Sequence, residues 1–224
     1  MTHGYGKNWD PAEHYREAEV AETYDAERFT SLAGRVFNSL EKRLIRKAFT
    51  GVPAGATIGD VPCGTGRLAE VLLGRGFDVT GVDISPAMLR VAKSRLQRFG
   101  DKFQIRVLDA RQLSDETVRF DAALCARVLM HFPLSEQITF LRNVASVTKG
   151  RLVFTQGVLT PYHRLRRLVK RVLLRENPAV YPLRPEEIRR LLAGAGLRLV
   201  KQYAVLPLLS ESRVFVTEKV LAQK

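Results

Sequence analysis

The chain has 224 residues, 46% of them apolar, and 36 basic against 23 acidic side chains leave it a net charge of +13. That size and apolar content support one generous domain or two small ones around a packed core, and they exclude a disordered chain. Two cysteines make no disulfide framework and no zinc site, and no apolar run approaches the roughly 20 residues of a membrane-spanning helix.

Met1–Asp10 has no apolar stretch of signal-peptide type, so a soluble, cytoplasmic protein is expected. Residues 1–12 are polar and read as a loose arm. From Pro11 to Phe49 the pattern is helical. Ala18, Ala21 and Tyr24 share one face of a first helix. Leu32, Val36, Phe37, Leu40, Leu44, Ile45 and Ala48 follow the i, i+3, i+4 spacing of a second. Gly51, Pro53 and Gly55 then interrupt the chain.

Strands and helices alternate from there. Thr57–Val61 is expected as a strand, Arg67–Gly74 as a helix, and Asp78–Val82 as a strand. Pro86–Phe99 reads as a helix with Ser85 as its N-cap. Phe103–Leu108 and Phe120–Cys125 are further strands, followed by a helix over about 135–147 and a strand at Arg151–Thr155. Such βα alternation predicts a parallel sheet covered on both faces. After a basic helical stretch at Tyr162–Arg175 and a helix at Pro185–Gly194, Leu197–Ala204 and Arg213–Lys219 read as two strands. Their short connection leaves no room for a crossover, so they pair antiparallel.

Four stretches carry chemistry. The first is Asp60-Val-Pro-Cys-Gly-Thr-Gly66, a strand ending in an acid and followed by a glycine turn and a helix. Gly64 and Gly66 lack Cβ atoms, so the turn is sharp and a ligand can lie against its backbone. Gly64-x-Gly66-x-x-Ala69 also fits the permissive dinucleotide fingerprint. The second is Val79-Thr-Gly-Val-Asp83, whose terminal carboxylate can accept from two ribose hydroxyls, whichever cofactor binds. In the third, Leu108-Asp109-Ala110, an acid follows the third strand, where an adenine amino group needs an acceptor. The fourth runs from Phe120 through Cys125 and Arg127 to His131-Phe-Pro. It sets His131 above the carboxyl edge of the sheet, where a general base is useful near neutral pH.

Together these stretches resemble the class I S-adenosylmethionine-dependent methyltransferases, and within them the small-molecule branch of the ubiquinone and menaquinone biosynthesis methyltransferases. Asp-Val-Pro-Cys-Gly-Thr-Gly-Arg is similar to the first family motif, Val-Asp-Ile-Ser-Pro-Ala-Met-Leu to the second, and the Phe120–Phe132 stretch to the fourth. The likeness covers roughly residues 20–220. It implies a Rossmann-like three-layer sandwich with a seven-stranded, mostly parallel sheet, an antiparallel C-terminal strand and an N-terminal helical cap. It divides one domain into a cap (1–52), a cofactor-binding core (53–160), a basic substrate-side insertion (161–184) and a C-terminal helix with two strands (185–224).

The same resemblance implies the cofactor, S-adenosylmethionine, and roles for individual residues. Cys63, Gly64, Thr65 and Gly66 lie under its methionine and ribose part, and Asp60 lies near the methionyl ammonium. Asp83 takes the ribose hydroxyls. Ile84 and Met88 pack on adenine, Asp109 and Ala110 meet its edge, and Cys125 and Arg127 border the methionine end. Tyr24, followed by Asp25, resembles the tyrosine that helps close the site in this branch. With no second catalytic domain and two antiparallel terminal strands, the dinucleotide alternative loses ground. Nothing in the chain suggests a metal-ligand cluster, so metal independence is expected, with His131 as the candidate base.

His163–Arg175 is a basic amphipathic helix holding six Lys or Arg residues and no acid. A solvated cap over the acceptor pocket, contact with the inner membrane surface, and binding of an anionic acceptor are the readings it allows. The acceptor is expected to be a small molecule or a lipid. The alternatives are an RNA methyltransferase recruited by the basic face and a non-catalytic cofactor-binding module; the Cys-Ala-Arg-Val after the fourth strand disfavours nucleic-acid base chemistry.

Overall fold

The computed structural model describes residues 30–174 and 181–220. Ser31 opens the first described helix, α1 (Leu32–Ala48), by accepting from the Gly34 amide at 3.0 Å. Its buried stripe is shorter than the sequence spacing suggests. Leu32 and Val36 face solvent, and packing begins at Phe37 and Leu40 and is complete at Ile45, Ala48 and Phe49. The helix expected on Ala18, Ala21 and Tyr24 lies outside the described residues.

The strands are β1 (Thr57–Asp60), β2 (Asp78–Asp83), β3 (Phe103–Val107), β4 (Ala122–Cys125), β5 (Arg151–Gly157), β6 (Leu197–Ala204) and β7 (Ser212–Lys219). They form one sheet in the order β3-β2-β1-β4-β5-β7-β6. β1 to β5 are parallel. β7 runs antiparallel between β5 and β6, because the short link after β6 can only fold back. The intervening helices are α2 (Ala69–Leu73), α3 (Pro86–Leu96), α4 (Leu134–Ser146), α5 (Pro161–Leu174) and α6 (Pro185–Gly194).

Strand alternation sorts the core into two layers. Ile58, Val79, Leu124 and Val153 face a cluster with Ile45, Leu72, Leu89 and Leu96 from α1, α2 and α3. Ala123, Cys125, Leu152 and Phe154 face the other side, with Leu141, Val144 and Leu191 from α4 and α6. The expected three-layer, mostly parallel architecture is thus the one observed.

Boundaries differ where glycine or edge geometry intervenes. Gly100, at φ 55, leaves the helix, so α3 ends at Leu96 and continues as a 3-10 turn (Gln97–Lys102) rather than reaching Phe99. Phe120 forms only an isolated bridge to Thr148, and β4 starts at Ala122. β2 extends to Asp83, which makes that acid the last strand residue. The order of strands reverses around β1, with β2 on one side and β4 on the other, and in open α/β sheets the crevice beyond such a point receives the ligand.

Candidate functional site

The loop after β1 is folded by its own backbone. The Cys63 amide donates to the Val82 carbonyl at 2.9 Å, and the Gly66 amide donates back to the Cys63 carbonyl at 3.1 Å. Asp83 Oδ2 accepts from the Gly64 amide at 2.8 Å, which ties the β1 loop to the end of β2. Arg95 of α3 donates to the Thr65 carbonyl at 3.0 Å and to its hydroxyl at 3.1 Å. Gly64, at φ +55, has nothing within 4 Å of the place a Cβ would occupy, so its backbone lies open to the cavity. Gly66 does something else. A Cβ there would lie 2.8 Å from Leu96 and 3.0 Å from the Ala92 side chain, so Gly66 lets the loop close on α3 and does not line the cavity.

Among the described residues, three acids line the cavity: Asp60, Asp83 and Asp109. Asp60 is almost wholly buried, and its Oδ2 has no hydrogen-bond partner among the described residues. Burial pushes its carboxyl well above the ordinary range, against the lowering pull of the Cys63 thiol and the Arg67 charge. The Cys63 thiol is pushed up as well, by burial and by Asp60 beside it. Asp83 is also raised by burial, and the amides of Ser85 and Gly64 offset part of that rise. The Asp83 carboxylate accepts from the Ser85 amide on Oδ1 and the Gly64 amide on Oδ2, with the Ile84 amide as a third backbone donor, so of its roughly four lone-pair sites about one is left. Asp109 caps the 3-10 turn Ala110–Asp115 and is gripped by Arg111, with Nε at 2.9 Å and Nη2 at 2.6 Å from Oδ2. Sequence reasoning set that carboxylate at the adenine edge; it lines the cavity, and its neighbour by two positions also holds it.

Ile84, Met88 and Ala110 line the cavity with Leu108, Phe132 and Phe140. Phe132 and Phe140 stack with centroids 5.9 Å apart. The apolar wall suits a flat ring. Ser85 caps α3 by accepting from the Met88 amide at 3.2 Å, as its position before Pro86 suggests, and so fixes where Met88 enters the wall.

Cys125 is not at the cavity. It is the last residue of β4, and alternation turns its side chain into the second core layer, fully buried among apolar groups that raise its thiol. Its successors take the place it was assigned. Arg127 sits at φ 61, in the left-handed region, with its amide donating to the Thr155 hydroxyl at 2.8 Å. His131 lines the cavity from the turn Leu129–His131 and is largely buried. Tyr24 lies outside the described residues.

The sequence reading missed a buried charge cluster beside the cavity. Glu41 of α1 is completely buried and pairs with Arg67 at 2.6 Å and with Arg127 at 3.6 Å. Arg67 also donates to Asn38 at 2.6 Å, and the Arg127 guanidinium lies 5.5 Å from the centre of the Phe37 ring. Both arginines line the cavity. The signal was present: Glu41 and Asn38 interrupt the apolar stripe of α1 between Phe37 and Ile45, where a polar residue needs a buried partner.

A second cavity opens on the other side of Arg127, which lines both. It is walled by Phe37 and Met130, by Thr155 and Gln156 of β5, by Arg166 and Arg167 of α5, and by residues 209–212. Buried Gln156 donates to Gln137 Oε1 at 2.6 Å and accepts from the Gly157 amide at 2.8 Å. The Tyr181 amide donates to the Met130 carbonyl at 2.7 Å, bringing Pro182 to the same wall.

The sheet order and the switch-point cavity are those of a class I, Rossmann-like methyltransferase fold. Residues 58–151 match the family described as a methyltransferase domain, so the recognisable domain spans β1 to the start of β5. Over 112 residues the chain is 34% identical to the ubiquinone biosynthesis O-methyltransferase of Xanthomonas axonopodis pv. citri, covering 49% of this chain and 46% of that one. It is 24% identical over 151 residues to the chloroplastic magnesium protoporphyrin IX methyltransferase of Arabidopsis thaliana, covering 66% of this chain and 48% of that one. The chain thus spans about half the length of the curated relatives it matches. Among solved structures, magnesium protoporphyrin IX methyltransferase from Synechocystis PCC 6803 with bound SAH superposes with a TM-score of 0.75 at 17% identity, covering 93% of this chain and 98% of that one. These findings agree with the family likeness and fold expected from the motifs.

Proposed function

We propose that the chain transfers a methyl group from S-adenosylmethionine to an O, N or C atom of a small-molecule acceptor. The carrying observation is the buried carboxyl of Asp60, whose Oδ2 has no partner among the described residues, beside the open Gly64 backbone and next to Asp83 at the end of β2. A buried carboxyl with an orphaned oxygen at a cavity wall fits a cationic ligand group, here an α-ammonium. The glycine backbone fits a ligand pressed flat against it, and Ile84, Met88 and the two phenylalanines fit a nucleobase. The matched domain and the relatives named for methyl transfer support the same reading.

When bound, S-adenosylmethionine supplies an electrophilic methyl on a sulfonium. The protein's own work is then to hold and align, since proximity and orientation contribute most where the donor is already activated. Asp60 neutralises the ammonium, Asp83 accepts from the ribose, and the wall from Ile84 to Phe140 excludes water. Arg67 and Arg127, paired with Glu41, hold their part of the cavity wall. His131 takes the proton of a hydroxyl acceptor.

The basic helix α5 supplies a finer reading of partners. Leu165, Leu168 and Val169 are exposed on it, and so are Leu208 and Leu209 on the neighbouring loop, which the Arg166 guanidinium reaches at the Leu209 carbonyl. An apolar stripe flanked by cations fits peripheral attachment to an anionic membrane. Among the described residues no helix is long and apolar enough to cross one.

Calorimetry with S-adenosylmethionine, S-adenosylhomocysteine (SAH) and NAD tests the central reading. Both sulfur ligands are expected to bind and NAD is not. Binding of NAD with neither sulfur ligand overturns it.

A further inference from the structure

Among the described residues, three arginines and one glutamate line the second cavity. Arg127, Arg166 and Arg167 line it, and Glu211 is the acid among the lining residues. Glu211 is spent on Arg167, which it holds through two bonds at 2.7 and 2.8 Å. Arg166 donates to the Leu209 carbonyl and has no carboxylate beside it among the described residues. A neutral carbonyl satisfies one N–H of a guanidinium but leaves its charge uncompensated. Glu41 reaches Arg127 at 3.6 Å and pairs with Arg67 at 2.6 Å.

We propose that this second cavity is the acceptor site and that it selects acceptors carrying an anionic group, carboxylate or phosphate, held between Arg166 and Arg127. The proposal rests on the methyl-transfer reading and names the substrate class of that site. Placement supports it first. Met130 lines the second cavity and His131 the first, so one short turn separates the two, and Arg127 borders both. A molecule seated in the second cavity therefore meets the first along the stretch that carries His131. Chemistry supports it next. The Gln156 amide is engaged at both ends by Gln137 and Gly157, which leaves recognition of charge to the guanidiniums. Planar guanidinium donors match the two oxygens of a carboxylate or phosphate better than an ammonium does. Phe37 and Met130 flank the same space, so the anion is expected on an apolar, ring-bearing body.

The test uses the full chain loaded with SAH and two probes of one shape, 2-naphthoate and 2-naphthamide, measured by calorimetry. The wild type is expected to bind naphthoate at least tenfold more tightly. Arg166→Gln should bring the two probes within threefold of each other while SAH binding stays unchanged. Glu211→Gln, which frees Arg167 from its partner, should tighten naphthoate severalfold and leave naphthamide unmoved. Arg164→Gln, on the same helix outside the cavity, should change neither. Equal binding of the probes, no binding of either, or a preference that survives Arg166→Gln overturns the proposal. Loss of SAH binding in the wild type instead counts against the methyl-transfer reading. An inorganic phosphate titration separates the two anions: displacement of naphthoate by phosphate at millimolar concentration assigns the site to either group, and no displacement assigns it to carboxylates.

Discussion

At the scale of single residues, Asp60 carries the sharpest expectation. Its carboxyl is raised by burial, so the native state favours the proton more than the unfolded chain does. The stability this contributes is full below the ordinary carboxylate range, about pH 4, and is lost as pH rises through the raised native value. A cationic ligand reverses the trend, because it wants the charged form. SAH affinity should therefore climb with pH in the wild type, and Asp60→Asn should bind at least tenfold more weakly with a flat pH profile; calorimetry across pH 5 to 8 reads both. At His131, replacement by Ala should lower turnover of a hydroxyl acceptor by about 10²–10⁴-fold while SAH binding persists, and undiminished turnover removes it as the base. Asp121 is a contrasting acid. It accepts from the Thr57 amide and hydroxyl and from Lys149, which hold it at about 2. Its contribution is present above the unfolded value near 4 and fades as pH falls through about 2. Asp121→Asn should lower the melting temperature at neutral pH and converge with the wild type as pH falls toward 2, flattening the acid side of the profile.

At the scale of elements, α1 is bolted to the cavity by a charge cluster and not only by apolar packing. Glu41 has no exposure, and its pairs reach the residue after the glycine loop and the second residue after β4. Removing one partner of a buried ion pair leaves an uncompensated charge, at a cost of about 3–5 kcal/mol. Glu41→Gln should lower the melting temperature by that equivalent and weaken SAH binding, since Arg67 and Arg127 lose their anchor. Glu41→Gln combined with Arg67→Met should recover part of the stability, because no cation is then left stranded at Arg67. The strands and most helices were legible from period and punctuation. Glu41 was passed over because amphipathic reading counts apolar positions and skips the polar residue among them. Cys125 was misplaced for a related reason: motif order gave its position along the chain, and strand alternation decided which way its side chain points.

For the whole molecule, the excess of basic side chains concerns surfaces and partners more than fold. Vesicles containing anionic lipid should retain the protein at low salt and release it as ionic strength shortens the screening length toward about 8 Å. Leu165→Glu with Leu168→Glu should abolish retention without changing SAH binding. Retention by neutral vesicles alone, or none at all, counts against membrane contact through α5.

Local signals in the sequence determined the alternating α/β plan, the β1 loop with its glycines, the acids at the ends of β1 and β2, and the family likeness, because period, turn chemistry and short-range caps are written within about a dozen residues. Only the tertiary structure decided that Glu41 of α1 pairs with two arginines lining the cavity, that Arg111 holds Asp109, that Cys125 turns into the core, and that a basic second cavity abuts the first across Arg127. Each of those depends on contacts between segments from two to more than eighty residues apart, and side-chain direction and the partner of a buried charge are settled only when those segments pack.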